Sequence, residues 1–226
     1  GTISSNTTWN YDTVFVTSDI IVSNGVKLTV SPGTYVQFSG HYKLDVKGSL
    51  KAVGTANDRI TFTAASTSIG WKGIRFYNTA TTNDSSFVEY CTISYGKATI
   101  GTTYDRQGGA ILCYNFSKLL VRNSILSNNY ASYYGGAISC WYNSSPKLVN
   151  NVFSNNSAGS LGGAVFSYNN SIPNIINSTI VNNTAGSNGG GVCGYNTPTL
   201  ILNCIVYGNT AASDAQIGRA GNPIVK

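Results

Sequence analysis

The chain has 226 residues, enough for one elongated domain with a continuous core, and only 10% of them are charged against 42% hydrophobic. Its net charge of +6 comes from Lys and Arg scattered along the whole length, which excludes the clustered basic face that nucleic acid requires. With so little charge the surface must be built from Ser, Thr, Asn, Gly and Tyr, a composition suited to crowded packing or glycan contact.

Residues 1–107 read as less regular opening coils. Val26-Lys27-Leu28-Thr29-Val30, a Ser31-Pro32-Gly33-Thr34 turn and Tyr35-Val36-Gln37-Phe38 follow one another. Leu44-Asp45-Val46, Ser49-Leu50 and Arg59-Ile60-Thr61-Phe62 continue the series of short β-rich runs between turn residues. No run carries helical spacing over ten residues, and none is long enough to cross a bilayer, so neither helices nor a transmembrane segment is expected. The sole histidine, His41, lies in a Gly-His-Tyr turn and is expected to be exposed and unpartnered. Thr99–Gln107 exceeds the local unit and should bulge as a loop.

Residues 108–213 repeat. The pairs Gly108-Gly109, Gly135-Gly136, Gly162-Gly163 and Gly189-Gly190 start 27 residues apart. They open GGAILCYN, GGAISCWYN, GGAVFSYN and GGGVCGYN, and NSILSNNYA, NNVFSNNSA, NSTIVNNTA and NCIVYGNTA follow downstream. A fixed period of this length marks a solenoid, whose unit buries its apolar face only by stacking on neighbours. About three short strands per unit make this an all-β chain: a right-handed parallel β-helix, one domain over 1–226, of about nine coils spaced ~4.8 Å.

Comparison of the units gives faces. Ile111, Ile138, Val165 and Val192 share one column and Cys113, Cys140, Ser167 and Gly194 another; both are apolar or small and point inward. Cys113 and Cys140, in adjacent coils, either bridge or pack as free thiols. The column between them holds Leu112, Ser139, Phe166, Cys193 and, from an earlier coil, Arg75; the charge marks it as outward. That position would offer Cys193 for an intermolecular contact. Tyr77, Tyr114, Trp141 (or Tyr142), Tyr168 and Tyr195 form an outward aromatic stripe, suited to rings packing on each other, to a protein contact or to sugar stacking. Asn115, Asn143, Asn169 and Asn196, and Asn129, Asn156, Asn183 and Asn209, fall in two columns expected to form amide ladders between coils. Among eight Asn-x-Ser/Thr sequons, Asn6 and Asn83 lie outside the ladders and are the better glycosylation acceptors.

The two phrases GGA[IV] and N-x-x-[LFIV]-x-N-N-x-A resemble the short repeats of the polymorphic outer membrane proteins of chlamydiae. The resemblance covers roughly the second half of the chain. It implies the parallel β-helix, and a cell-surface or extracellular location. The same coil serves as adhesin, stalk or scaffold for pectate-lyase-like enzymes, so it implies little about activity.

No phosphate loop, zinc spacing or nucleophile motif appears, and no metal or cofactor is expected. The strongest acidic grouping is Asp84, Glu89 and Asp105 near the long loop, and solvated loop carboxylates are the simpler reading. The chain reads as a non-enzymatic extracellular structural protein. A filament or sheath-like array built end to end, or an adhesin stalk, is the expected form. A polysaccharide-binding module or a β-helix lyase or hydrolase is the alternative, with surface glycans as partners. Residues 214–226 read as a last, uncapped coil with Ile224-Val225-Lys226 opening a new strand, a template for head-to-tail stacking of copies.

Overall fold

The computed structural model describes residues 1–116, 118–218 and 224–225, and its strands pair in parallel throughout. Three sheets run along the molecule. The first has nine strands, from Thr2–Ile3 to Ile217–Gly218; the second has nine, from Thr7–Trp9 to Ile224–Val225; the third has eight, from Thr13–Val16 to Ile205–Tyr207. A fourth, of two-residue strands, joins Lys97–Ala98, Tyr130–Ala131, Ser157–Ala158 and Thr184–Ala185. The chain visits the three long sheets in the same order on every turn, which makes it a parallel β-helix of about nine coils, consistent with the right-handed form that the repeat predicts and that parallel crossovers favour. Register follows the repeat: Ile111 pairs with Ile138, Ile138 with Val165 and Val165 with Val192.

The inward columns merge into one apolar core reaching from Val16 to Ile201. In the opening coils Trp71 lies fully buried, its ring 4.1 Å from that of Phe38, and its Nε1–H donates to the Ser94 carbonyl at 2.8 Å. A buried indole needs that acceptor.

The glycine pairs have two different tasks. Gly135 sits at φ +64°, where a side chain is strained. Gly136 allows close approach: a Cβ there would lie 2.2 Å from the Gly163 carbonyl oxygen of the next coil. The corners are asparagine turns. Asn115, Asn143, Asn169 and Asn196 follow the first sheet at φ between +52° and +57°. Asn123, Asn150, Asn177 and Asn203 (φ +50° to +55°) follow the second, and Asn128, Asn155 and Asn182 (φ +56° to +58°) the third. Asn tolerates this left-handed conformation better than other side-chain-bearing residues.

At most of these corners a buried polar residue follows the left-handed one and reaches the neighbouring coil. After the second sheet, the Ser124 amide donates to Asn151 Oδ1 at 3.0 Å and the Asn151 amide to Ser178 Oγ at 3.1 Å. After the first, the Ser144 amide donates to Ser171 Oγ at 3.1 Å. The sequence reading had no signal for these two mixed columns, because their residue types differ from coil to coil.

Several expectations are corrected. The column of Arg75, Leu112, Ser139, Phe166 and Cys193 points out of the main core but is buried. The segment before each glycine pair folds across it: Tyr134, Leu161 and Asn188 bridge in parallel, and the Tyr134 ring stacks on Phe166 at 4.7 Å. Cys193 is therefore inaccessible, with Sγ 3.8 Å from Asn188 Oδ1, and is no intermolecular thiol in the folded chain. His41 is half-buried and its Nε2 lies 2.6 Å from the Lys97 carbonyl oxygen. Asn83 is buried: its Oδ1 accepts from the Gly25 amide at 2.8 Å, and its Nδ2 donates to the Lys47 carbonyl at 2.8 Å and Asn24 Oδ1 at 2.9 Å. A glycan on Nδ2 would replace one of its two hydrogens in this buried site and so displace at least one of its donations. Asn6 is exposed, with Oδ1 accepting from the Lys27 amide at 2.8 Å. Of the last-coil reading, Ile217–Gly218 and Ile224–Val225 pair in the first and second sheets. Residues 219–223 and Lys226 lie outside the described residues.

All five cysteines are free thiols, four buried and Cys204 half-buried. Burial pushes the Cys91, Cys140 and Cys204 thiols up, and burial with the nearby Asp214 charge pushes Cys193 up to about 12. Thiolate is the reactive form. Ellman's reagent at pH 8 is thus expected to find no fast-reacting thiol in the native protein, Cys204 reacting first and slowly, and all five after denaturation. A fast-reacting Cys193 in the native protein would contradict the covered column.

Candidate functional site

The columns singled out in the sequence behave differently. Asn129, Asn156, Asn183 and Asn209 are buried and joined head to tail. Nδ2 of each donates to Oδ1 of the next at 2.9 Å, and the last donates to Gln216 Oε1 at 2.9 Å. The backbone amide of each shares the same acceptor, at 3.1 Å for Asn129 on Asn156. This is a structural spine. Asn115, Asn143 and Asn196 are exposed, and Asn169 is half-buried. Asn115 Nδ2 reaches Asn78 Oδ1 at 3.3 Å, and the whole column shares a left-handed backbone.

The aromatic stripe is in register, Tyr77 beside Tyr114, Trp141, Tyr168 and Tyr195. Trp141 holds the column; Tyr142 turns at φ +49° and sets its ring 4.9 Å from Tyr114. The rings pack on one another, with centroids 4.4 Å apart for Tyr77 and Tyr114 and 4.8 Å for Trp141 and Tyr168. Tyr104, from the long loop, adds an edge-on contact to Tyr114 at 4.6 Å. Tyr195 is the most exposed of the five column residues.

Where that loop crosses the first sheet it closes a groove of about 320 Å³. Strand alternation builds its floor. Lys43, Asp45 and Lys47 project from one strand, Arg75 and Tyr77 from the next, and Leu112 from a third. Thr102, Tyr104 and Asp105 come from the loop, whose only regular turn is a short 3₁₀ helix at Tyr104–Arg106. Asp45 lies between two ammonium groups, 3.2 Å from Lys47 Nζ and 3.7 Å from Lys43 Nζ. Lys47 also donates to the Tyr77 carbonyl at 2.9 Å and stands 5.4 Å from the centre of the Tyr77 ring.

Arg75 fastens the loop. Its guanidinium donates to the Gln107 and Gly108 carbonyls at 2.7 and 2.6 Å, and to that of Lys72. Burial lowers its pKa to about 10, opposed by the charges of Asp105 and Asp45. Burial alone would raise the Asp105 carboxyl; hydrogen bonds from the Thr102 amide and hydroxyl (2.9 and 2.7 Å), with Lys43 and Arg75, hold it below the usual range.

The acidic trio suggested by the sequence is not one constellation. Asp84 pairs with Lys27 at 2.7 Å and Glu89 with Arg122 at 2.6 Å, while Asp105 belongs to the groove. The groove itself went unread, although Lys43-Leu44-Asp45-Val46-Lys47 puts three charges on one face of a strand. The cations looked scattered because they were viewed along the chain and not across coils.

The family model described as the Chlamydia polymorphic membrane protein repeat matches residues 123–140 and 152–168. Each stretch runs through a strand of the third sheet, a spine asparagine, a strand of the fourth sheet and a glycine pair into the first sheet. No curated protein and no solved structure matches the chain.

Proposed function

We propose that this chain is a cell-surface structural protein, a stiff β-helical stalk without catalytic activity of its own. The observation that carries the reading is the match to a membrane-protein repeat at the residues that form the spine and the glycine turns. A buried polar spine fixes coil on coil and favours a rod that keeps its shape away from the cell body. The sparse charge, 10% of residues, suits a crowded surface. Protease treatment of intact native cells tests this: the chain should be lost from intact cells while cytosolic markers survive. Protection until the cells are lysed would overturn it.

Assembly end to end belongs to the same proposal. In all three long sheets the strands are parallel and a coil adds through the same ladder bonds, so a second copy stacked head to tail would extend the rod without a new kind of contact. Electron microscopy of native material should show rods longer than the ~40 Å that nine coils span. Particles of single-chain length at high concentration would limit the protein to a stalk.

A further inference from the structure

We infer that the groove between the first sheet and the long loop is a binding site for an acidic saccharide, a mono- or disaccharide unit bearing a ring carboxylate. This goes beyond the stalk reading and stands without it. The groove holds three cations, Lys43, Lys47 and Arg75, against two carboxylates, Asp45 and Asp105, and so favours an anionic ligand. Arg75 is spent on backbone carbonyls, and Lys47 on Asp45 and the Tyr77 carbonyl. Lys43 is different. Its ammonium has a carboxylate contact at 3.7 Å, beyond hydrogen-bond length, and its side chain is 27% exposed. An ammonium has three donors, and these are placed to take a ligand carboxylate.

The rest of the lining identifies the body of the ligand. Asp45 Oδ1, in a residue only 8% exposed, faces Lys47 but accepts no hydrogen bond among the described residues. Its ion pair with Lys47 leaves lone-pair capacity on that oxygen which a ligand hydroxyl can use. Tyr77, Tyr104 and Leu112 supply an apolar wall for the C–H face of a sugar ring. A bare inorganic anion would leave the apolar wall unused. A neutral sugar would leave Lys43 unanswered. The volume, about 320 Å³, is at the small end of ligand cavities, which fits one or two pyranose rings.

Isothermal titration of the full chain with digalacturonate, with cellobiose and with inorganic phosphate is the test. Digalacturonate should bind, and cellobiose and phosphate at least about tenfold more weakly. Lys43→Gln, at a partly exposed side chain outside the core, should lower digalacturonate affinity by about the same factor with an unchanged circular dichroism spectrum. Tyr195→Ala, at the far end of the aromatic stripe, should leave it unchanged. Equal affinity for cellobiose would remove the role of charge, and equal affinity for phosphate would reduce the site to a simple anion site. Binding lost in Tyr195→Ala would move the site to the stripe. Each of these results, or no binding at all, overturns the assignment.

Discussion

Asn156→Ala is expected to destabilise the protein by about 3–5 kcal/mol, far more than removal of a surface amide. Asn156 Oδ1 accepts from both the backbone amide and the Nδ2 of Asn129, at 3.1 and 2.9 Å. Its own Nδ2 donates to the Leu126 carbonyl and to Asn183 Oδ1, both at 2.9 Å. The shortened side chain leaves a buried amide without an acceptor, and each such group costs about 1–3 kcal/mol. The neighbour gives the contrast. Asn155 is exposed at φ +56°, so Asn155→Ala should cost about 1 kcal/mol, the strain of a left-handed alanine. Urea unfolding of the two variants measures the difference, and equal costs would mean that the spine carries no special share of the stability.

Gly136→Ala should be worse, for a reason of space. The added Cβ would lie 2.2 Å from the Gly163 oxygen and 2.5 Å from the Ser157 oxygen, both backbone atoms, the latter in a strand of the fourth sheet. Nothing flexible can yield, so two coils must part, and the loss is expected to exceed about 4 kcal/mol or to abolish soluble expression. Gly25 separates this effect from glycine conformation: at φ +77° nothing lies within 4 Å of its added Cβ, and Gly25→Ala should cost about 1 kcal/mol. A thermal melt of Gly136→Ala within a few degrees of the parent would show that the coils can separate cheaply.

The architecture was legible because the solenoid writes the same constraint every 27 residues, at Gly135 as at Gly162 and Gly189. Inward columns such as Ile111 and Ile138 could be read by comparison alone. What alternation could not tell was exposure. Arg75 points away from the main core, as a charge suggests, yet it is buried under a return of the chain and satisfied by carbonyls. Cys193 was misread by the same step. Asn83 looked like a free loop residue because its partners, Asn24, Gly25 and Lys47, are separated from it by one coil or more of sequence. The groove was hidden likewise: Lys43 and Asp105 meet only when the long loop folds back over the sheet.

The spine of asparagines also has a sense. Every amide from Asn129 to Asn209 gives one hydrogen to an amide oxygen of the C-terminal coil and the other back to a backbone carbonyl of the preceding coil, while its own oxygen accepts from the coil before. If Asn156 alone were turned over, its NH₂ would confront the donors of Asn129, and its oxygen would confront that of Asn183. No single amide can reverse; the whole file faces one way. A chain made from its N-terminus onward therefore presents, at each completed turn, donors whose acceptors belong to residues not yet synthesised. Each coil is locked by its successor, and folding on the ribosome must trail the emerging chain by one full turn.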